Sequence, residues 1–124
     1  MALQNIHIAM GSLAYAIAKA DGVIQDEEKV MIKKLAQQEF ELSDADNEWI
    51  SNMFNKLEKD GISLDEAYAF AIDTLNANKF DYDFTDSVKA KCISFMEKVS
   101  ESFDGISGEE QIIIEKFKVD MLKL

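Results

Sequence analysis

The 124-residue chain contains no proline and no arginine, a single cysteine, a single histidine and only five glycines. Proline and glycine usually punctuate sheets and loops, so their scarcity favours a helical protein with short turns. Arginine supplies the bidentate fork that most often holds phosphate groups or guanine bases. Its absence, together with a net charge of -11, argues against nucleic acid as a partner.

The single cysteine and the single histidine limit the chemistry that the chain can perform. Cys92 has no second cysteine for an internal disulfide, which favours a reducing, cytoplasmic location. It falls on an apolar helical stripe, so we expect a buried thiol. His7 has no nucleophile or metal ligand at a recognised spacing, so we expect a solvated or locally bonded side chain. These residues predict a protein that is not an enzyme.

The acidic excess comes from 24 acidic residues against 13 lysines. Such a charge attracts basic protein surfaces or divalent cations and repels anionic membranes. Residues 8–18 are apolar or small and could imitate a signal peptide, but no lysine precedes them, so secretion is the less favoured alternative. The stretch is shorter than the roughly 20 residues that span a bilayer. We therefore expect no membrane insertion.

Apolar residues recur every three or four positions along most of the chain, which is the spacing of one helical face. The pattern predicts an all-α fold of a single domain over residues 1–124, a compact bundle of six or seven helices. We expect helices at about 3–20, 26–39, 43–58, 63–77, 85–102 and from 107 onward. Serines followed three positions later by an acid mark three of the starts: Ser43 with Asp46, Ser63 with Glu66, and Ser107 with Glu110. The residues expected in the core are Leu13, Ile17, Leu35, Trp49, Met53, Phe95, Val99, Phe117 and Met121.

An acid-Gly turn followed by an aliphatic residue and a pair of glutamates occurs near each end of the chain, in residues 20–28 and 103–110. A partial third copy occupies residues 60–66. The two full copies are the outer ones, which favours two pseudo-repeated halves. A helical repeat of three units is the alternative that this spacing leaves open.

The acidic turns are the candidate metal site. Asp21 with Glu28, and Asp104 with Glu110, could bring two carboxylates together between consecutive helices and hold a divalent cation weakly. A regular EF-hand is excluded at the first turn, because Ile17 and Lys19 would fall at ligand positions of its calcium loop. The alternative is purely structural: acids at a helix start complement its dipole, and Asp-Gly is a common turn dipeptide.

The segment between the fourth and fifth predicted helices alternates aromatic and acidic side chains. We expect Phe80, Tyr82 and Phe84 to pin this loop to the bundle. Its acids have a local explanation, since Asp83 or Thr85 can start the following helix.

Residues 13–22, which end in Ala-Asp-Gly, resemble the signature of the TerB family of tellurite-resistance proteins. The glutamates at 27–28 and the second turn at 104–110 strengthen the resemblance. It implies a cytoplasmic helical domain of two similar halves that acts in stress responses through contacts with membrane-associated protein partners, with a divalent cation bound at the acidic turns. On the family's pattern Asp21 and Glu28 match the first acidic motif, and Asp104 and Glu110 the second.

Two classes of function are consistent with the sequence. The first is a non-catalytic acidic interaction module of the TerB type, with a metal ion as modulator. The second is a small structural or adaptor bundle in which the Asp-Gly turns only separate helices.

Overall fold

The computed structural model describes residues 2–20, 24–42, 44–101 and 108–124, without the side chains of residues 2, 3 and 44–46. These ranges contain six α-helices and no strand, so the protein is the all-α bundle that the periodicity predicts. The predicted helix ends agree with the observed ones to within about two residues, the usual uncertainty of helix boundaries. Within these ranges no helix is long and apolar enough to cross a membrane. The helices are α1 (Ala2–Ala20), α2 (Asp26–Phe40), α3 (Asp44–Asp60), α4 (Leu64–Ala77), α5 (Asp86–Glu101) and α6 (Gly108–Leu122).

Helix α1 is the centre of the bundle. Every residue from Ile6 to Ala18 except Ile8 is buried, so the helix is covered all round rather than on one face. It packs mainly against α3 and α4 and also contacts α5 and α6. Its small residues permit this close packing: a Cβ at Gly11 would lie 2.6 Å from the carbonyl oxygen of Ile50 on α3.

Three hydrogen bonds show that α4 runs antiparallel to α1. Near the end of α1, the Tyr15 hydroxyl donates to the carbonyl oxygen of Ile62 at 2.6 Å. In the middle, Ser12 Oγ donates to the Ala67 carbonyl at 2.7 Å, and near the start Asn5 Nδ2 donates to Asn78 Oδ1 at 3.3 Å. The α3–α4 turn therefore lies beside the end of α1, and the α4–α5 loop lies beside its start.

Most of the predicted core is confirmed, and the exceptions lie at the edges of helix faces. Leu35 and Met53 are partly buried and pack against the core. Trp49 is 42% exposed, so the prediction of a buried tryptophan is wrong. Ile50, Phe54 and Leu57 supply the inner face of α3 and leave Trp49 at its border. The residues confirmed as buried are Leu13, Ile17, Phe95, Val99, Phe117 and Met121.

The histidine and the cysteine are both inside the protein. His7 is only 8% exposed, and its ring lies 5.6 Å from that of Phe40. Of the two states expected for His7, solvated or locally bonded, the solvated one is wrong, because α1 is buried from Ile6 to Ala18 except at Ile8. Cys92 is fully buried as predicted, and burial raises the pKa of its thiol to about 12.

The aromatic loop between α4 and α5 differs from its prediction at two of three positions. Phe84 is 5% exposed and does pin the loop, but Phe80 is 92% exposed and Tyr82 is 88% exposed. Thr85 starts α5 as expected, because its Oγ1 accepts a hydrogen bond from the Val88 N–H at 3.2 Å.

Candidate functional site

The first acidic turn is described from Ile24 onward, and Asp21 lies outside the described residues. Glu28, the third residue of α2, is half-buried. Its Oε1 accepts the backbone N–H of Gln25 at 3.2 Å, while the Gln25 backbone is extended, with φ -92° and ψ 153°. One carboxylate oxygen of Glu28 therefore satisfies a donor that the start of the helix would otherwise expose.

The α2 start is joined to the end of α3 by an ion pair. Lys29 Nζ lies 2.5 Å from Glu58 Oε1 and 3.7 Å from Asp26 Oδ1. The hydrogen bond to Glu58 is the main cause that raises the pKa of Lys29, and it prevails over partial burial, which lowers that pKa. Lys29, the residue that follows Glu28 in the sequence, is thus held by α3 and by the exposed Asp26.

The third, partial copy of the acid-Gly phrase serves as helix punctuation. Gly61 has φ +64°, the left-handed conformation that glycine adopts without steric cost. The Ile62 N–H donates to the Leu57 carbonyl at 3.1 Å, which ends α3 in the manner of a Schellman motif. The Ile62 carbonyl then accepts the Tyr15 hydroxyl, so this turn is anchored to the last third of α1.

The second acidic turn is described only from Gly108 onward, so both Asp104 and Ser107 lie outside the described residues. Glu110, the third residue of α6, is 0% exposed. The Ser100 hydroxyl on α5, also fully buried, donates to Glu110 Oε2 at 2.8 Å. The second glutamate is therefore a buried carboxylate that ties the start of α6 to the end of α5.

Of the four predicted metal ligands, two lie within the described residues and two lie outside them. Glu28 and Glu110 hold corresponding places in the first turns of α2 and α6, whereas the positions of Asp21 and Asp104 are not described. In the ranges that are described, no three His, Cys, Asp or Glu side chains lie close enough to hold a metal ion. Both carboxylate pairs remain predictions.

Sequence reasoning missed the partner of Glu110. Ser100 follows the buried residues Phe95, Met96 and Val99 on α5. A serine that continues an apolar helical stripe is a signal that a buried polar partner is present, because a buried hydroxyl needs a hydrogen bond. That signal identifies Ser100 but not the glutamate that it contacts.

Sequence reasoning also missed Asn47, which is fully buried at the start of α3. Its Nδ2 donates to the carbonyl oxygen of Lys33 on α2 at 3.0 Å. The side chain joins two helices that are consecutive in the chain, and nothing in its polar sequence context indicates its burial.

Comparison with known proteins gives one finding and two negative results. A sequence model of the family described as tellurite resistance protein TerB matches residues 7–119, nearly the whole chain. No curated protein and no solved structure gives a significant match. Members of this family are generally non-enzymatic helical domains. The match includes both acidic turns, the whole of α2 to α5 and most of α1 and α6, and the chain therefore belongs to the TerB family of tellurite resistance proteins.

Proposed function

We propose that the protein is a non-catalytic, acidic interaction module that acts in a cytoplasmic stress response of the TerB type. It works through contacts with a protein partner associated with the membrane, and a weakly bound divalent cation modulates those contacts. Membership of the TerB family and the net charge of -11 support this proposal. The cation is assigned to Asp21 with Glu28, and at lower affinity to Asp104 with Glu110.

The observation that carries the cation assignment is the position of Glu28. The carboxylate is held in the first turn of α2 by the Gln25 N–H. Asp21, the acid of the preceding Asp-Gly pair, comes shortly before it in the sequence. A carboxylate fixed in this way loses little conformational entropy when it ligates a cation. Two carboxylates leave most coordination positions of a hard cation to water and carbonyl oxygens, so we expect weak binding.

The second pair is the weaker candidate for a physical reason. Glu110 is fully buried, and its Oε2 already accepts the Ser100 hydroxyl. A hydrated cation would have to disturb this contact or bind through Asp104 alone. The proposal therefore ranks the first turn above the second.

The absence of catalysis is proposed from the state of the two side chains most suited to it. Burial holds Cys92 as a protonated thiol, with a pKa raised to about 12, and a thiol rather than a thiolate is a poor nucleophile. His7 lies inside the bundle against the ring of Phe40. Neither side chain is placed to meet a substrate from solution.

The alternative function, a structural or adaptor bundle, is favoured by the same glutamates. The cap bond of Glu28 and the burial of Glu110 both have a purely structural explanation. In that case the acidic turns only start helices, and a cation has no specific place to bind.

A cation titration separates these two functions. Calcium, magnesium and zinc are added in turn to millimolar concentration, and amide shifts are followed by NMR. The proposal expects shifts at residues 20–29 that disappear in Asp21→Asn with Glu28→Gln while helicity is kept. The matched control is Glu48→Gln with Asp73→Asn, which removes the same two charges from exposed positions on α3 and α4. Absence of any localised response, or equal loss in the control, would favour the structural alternative.

A further inference from the structure

The α4–α5 loop presents two aromatic rings to solvent. Phe80 and Tyr82 are 92% and 88% exposed, the highest exposures among the large hydrophobic side chains described. An exposed aromatic ring gains no burial energy within its own chain, and aromatic side chains dominate the centres of protein interfaces. Two such rings, one residue apart, mark the loop as a candidate contact surface.

The loop holds these rings by a network of its own. Asn78 Nδ2 donates to the Thr74 carbonyl at 2.7 Å, and the Asp81 N–H donates to the Asn78 carbonyl at 3.0 Å. Asp81 Oδ1 accepts the Asp83 N–H at 2.9 Å. Phe84, at the end of the loop, is buried, and its N–H donates to the Asp81 carbonyl at 3.0 Å. Phe80 and Tyr82 therefore belong to a preorganised turn, which lowers the entropic cost of binding.

The charges around the rings select the chemistry of a partner. Asp81, Asp83 and Asp86 alternate with or follow the aromatics, and all three are exposed. Lys79 Nζ lies 5.1 Å from the centre of the Phe80 ring, so this ring already meets a cation of its own chain. The next lysine, Lys89, is turned inward: it lies over the Phe84 ring and donates to the Leu124 carbonyl at 3.2 Å.

We propose that Phe80 and Tyr82, with Asp83 and Asp86, form a docking surface for an arginine-containing basic segment of a protein partner. A guanidinium group can stack on an aromatic face and donate to a carboxylate at the same time. The chain itself has no arginine, so it cannot fill this surface with the preferred group.

Charge also argues against the other occupants. A second copy of the chain would bring the same three aspartates together and would be repelled. An anionic membrane would be repelled for the same reason. A basic protein segment gains attraction from the aspartates and contact area from the rings.

This surface is separate from the proposed cation site. The loop is joined to the start of α1 by the Asn5–Asn78 hydrogen bond, whereas Asp21 follows Ala20 at the end of that helix. With a rise of about 1.5 Å per residue, Asn5 and Ala20 are about 22 Å apart along α1. Loss of cation binding would leave the docking surface intact, and the reverse also holds.

The test uses a synthetic peptide of four Gly-Arg repeats, compared with its Gly-Lys counterpart, and NMR titration of the whole chain. We expect the arginine peptide to shift amides of residues 78–86 and to bind more tightly than the lysine peptide. Phe80→Ala with Tyr82→Ala should weaken binding about tenfold, as expected when two exposed cation–π contacts are lost. Both side chains are exposed, so the fold should be kept. Ile112→Ala with Val119→Ala, at exposed apolar positions of α6, is the matched control and should bind like the wild type.

The contribution of charge is tested separately with the double variant Asp83→Asn, Asp86→Asn. It should weaken binding of the arginine peptide more than the control Glu48→Gln with Asp73→Asn does. The proposal is overturned if shifts spread evenly over the acidic surface, or if the aromatic variant binds as well as its control. It is also overturned if residues 78–86 respond to protein concentration without peptide, which indicates a second copy, or to phosphatidylglycerol vesicles, which indicates a membrane.

Discussion

Glu28 and Glu110 follow the same acid-Gly phrase and hold the same place in the first turns of α2 and α6, but their surroundings differ. Glu28 is half-buried and accepts the backbone N–H of Gln25, the residue directly before α2. Glu110 is completely buried and accepts the hydroxyl of Ser100 on a neighbouring helix. The first is a local cap at the surface, whereas the second is a tertiary contact.

The cause of this difference lies in the helices that precede the two turns. Helix α1 is buried all round and contains mostly small and apolar residues beyond Ile6. Helix α5 is buried on one face, and that face ends in the hydroxyl of Ser100. A repeated phrase can start a helix in the same way twice, but the neighbouring helices decide how deeply its glutamate is buried. The interpretation as two pseudo-repeated halves therefore stays a prediction, without equivalent sites.

The largest change in stability is expected from a comparison of two glycines, one in the middle of α1 and one at the start of α6. Gly11→Ala should lower the free energy of unfolding by about 2 to 3 kcal/mol, because the added Cβ would lie 2.6 Å from the Ile50 carbonyl oxygen and force α1 away from α3. Gly108→Ala should change it by less than about 1 kcal/mol, since nothing lies within 4 Å of that Cβ. Urea denaturation of both variants measures the difference, and similar losses would mean that α1 is not the close-packed centre.

The next largest difference in the free energy of unfolding is expected between variants of Glu110 and Glu28. Glu110→Ala leaves the buried Ser100 hydroxyl without its acceptor and should cost about 2 kcal/mol. Glu28→Ala removes one cap bond at a half-buried position and should cost about 1 kcal/mol or less. The two variants are compared in the same denaturation experiment. Ser100→Ala combined with Glu110→Ala should cost less than the sum of the single changes, and strict additivity would rule out the contact.

The smallest change in stability is expected for the ion pair that joins α5 to α2. Lys98 Nζ lies 2.6 Å from Glu39 Oε2. Burial raises the pKa of Glu39, but hydrogen bonds from Lys98 and Ser94 and the nearby lysine charges outweigh it, so the net pKa is below the usual 4.5. A carboxyl group with a lowered pKa in the folded state stabilises the protein above about pH 4.5, and this contribution is lost as the pH falls through the folded-state pKa.

Lys98→Met should therefore cost about 0.5 kcal/mol at pH 7, since Lys98 is half exposed and such pairs are weak. The cost should shrink towards zero near pH 2. Denaturation curves at both pH values test this, with Lys123→Met, an exposed lysine near the end of α6, as the control. A cost that is the same at both pH values would assign the effect to lost packing of the lysine stem.

The helix boundaries could be predicted because their causes are local. Ser63 caps α4 by accepting the Glu66 N–H, and Gly61 ends α3 through its own left-handed backbone. The burial of Cys92 and Phe95 also follows from a helical stripe on one chain segment. These features depend on residues within a few positions of one another.

The failures concern contacts between distant segments. The exposure of Trp49 depends on which edge of α3 faces α1, and the burial of Glu110 depends on the position of Ser100. Phe80 and Tyr82 looked like anchors because an alternating aromatic pattern does not tell which rings meet the bundle. For the candidate site, the glutamate positions in their first turns were predictable, whereas their different environments were not.

The cation can be located at one turn or the other by following the side-chain carboxylate carbons of Glu28 and Glu110 by NMR during a magnesium titration. We expect the Glu28 signal to move in a saturable way at millimolar magnesium, and this response to be lost in Asp21→Asn. The Glu110 signal should move little, because its carboxylate is buried against Ser100. An unchanged Glu28 signal, or a larger shift at Glu110 than at Glu28, would contradict the assignment of the cation to the first acidic turn.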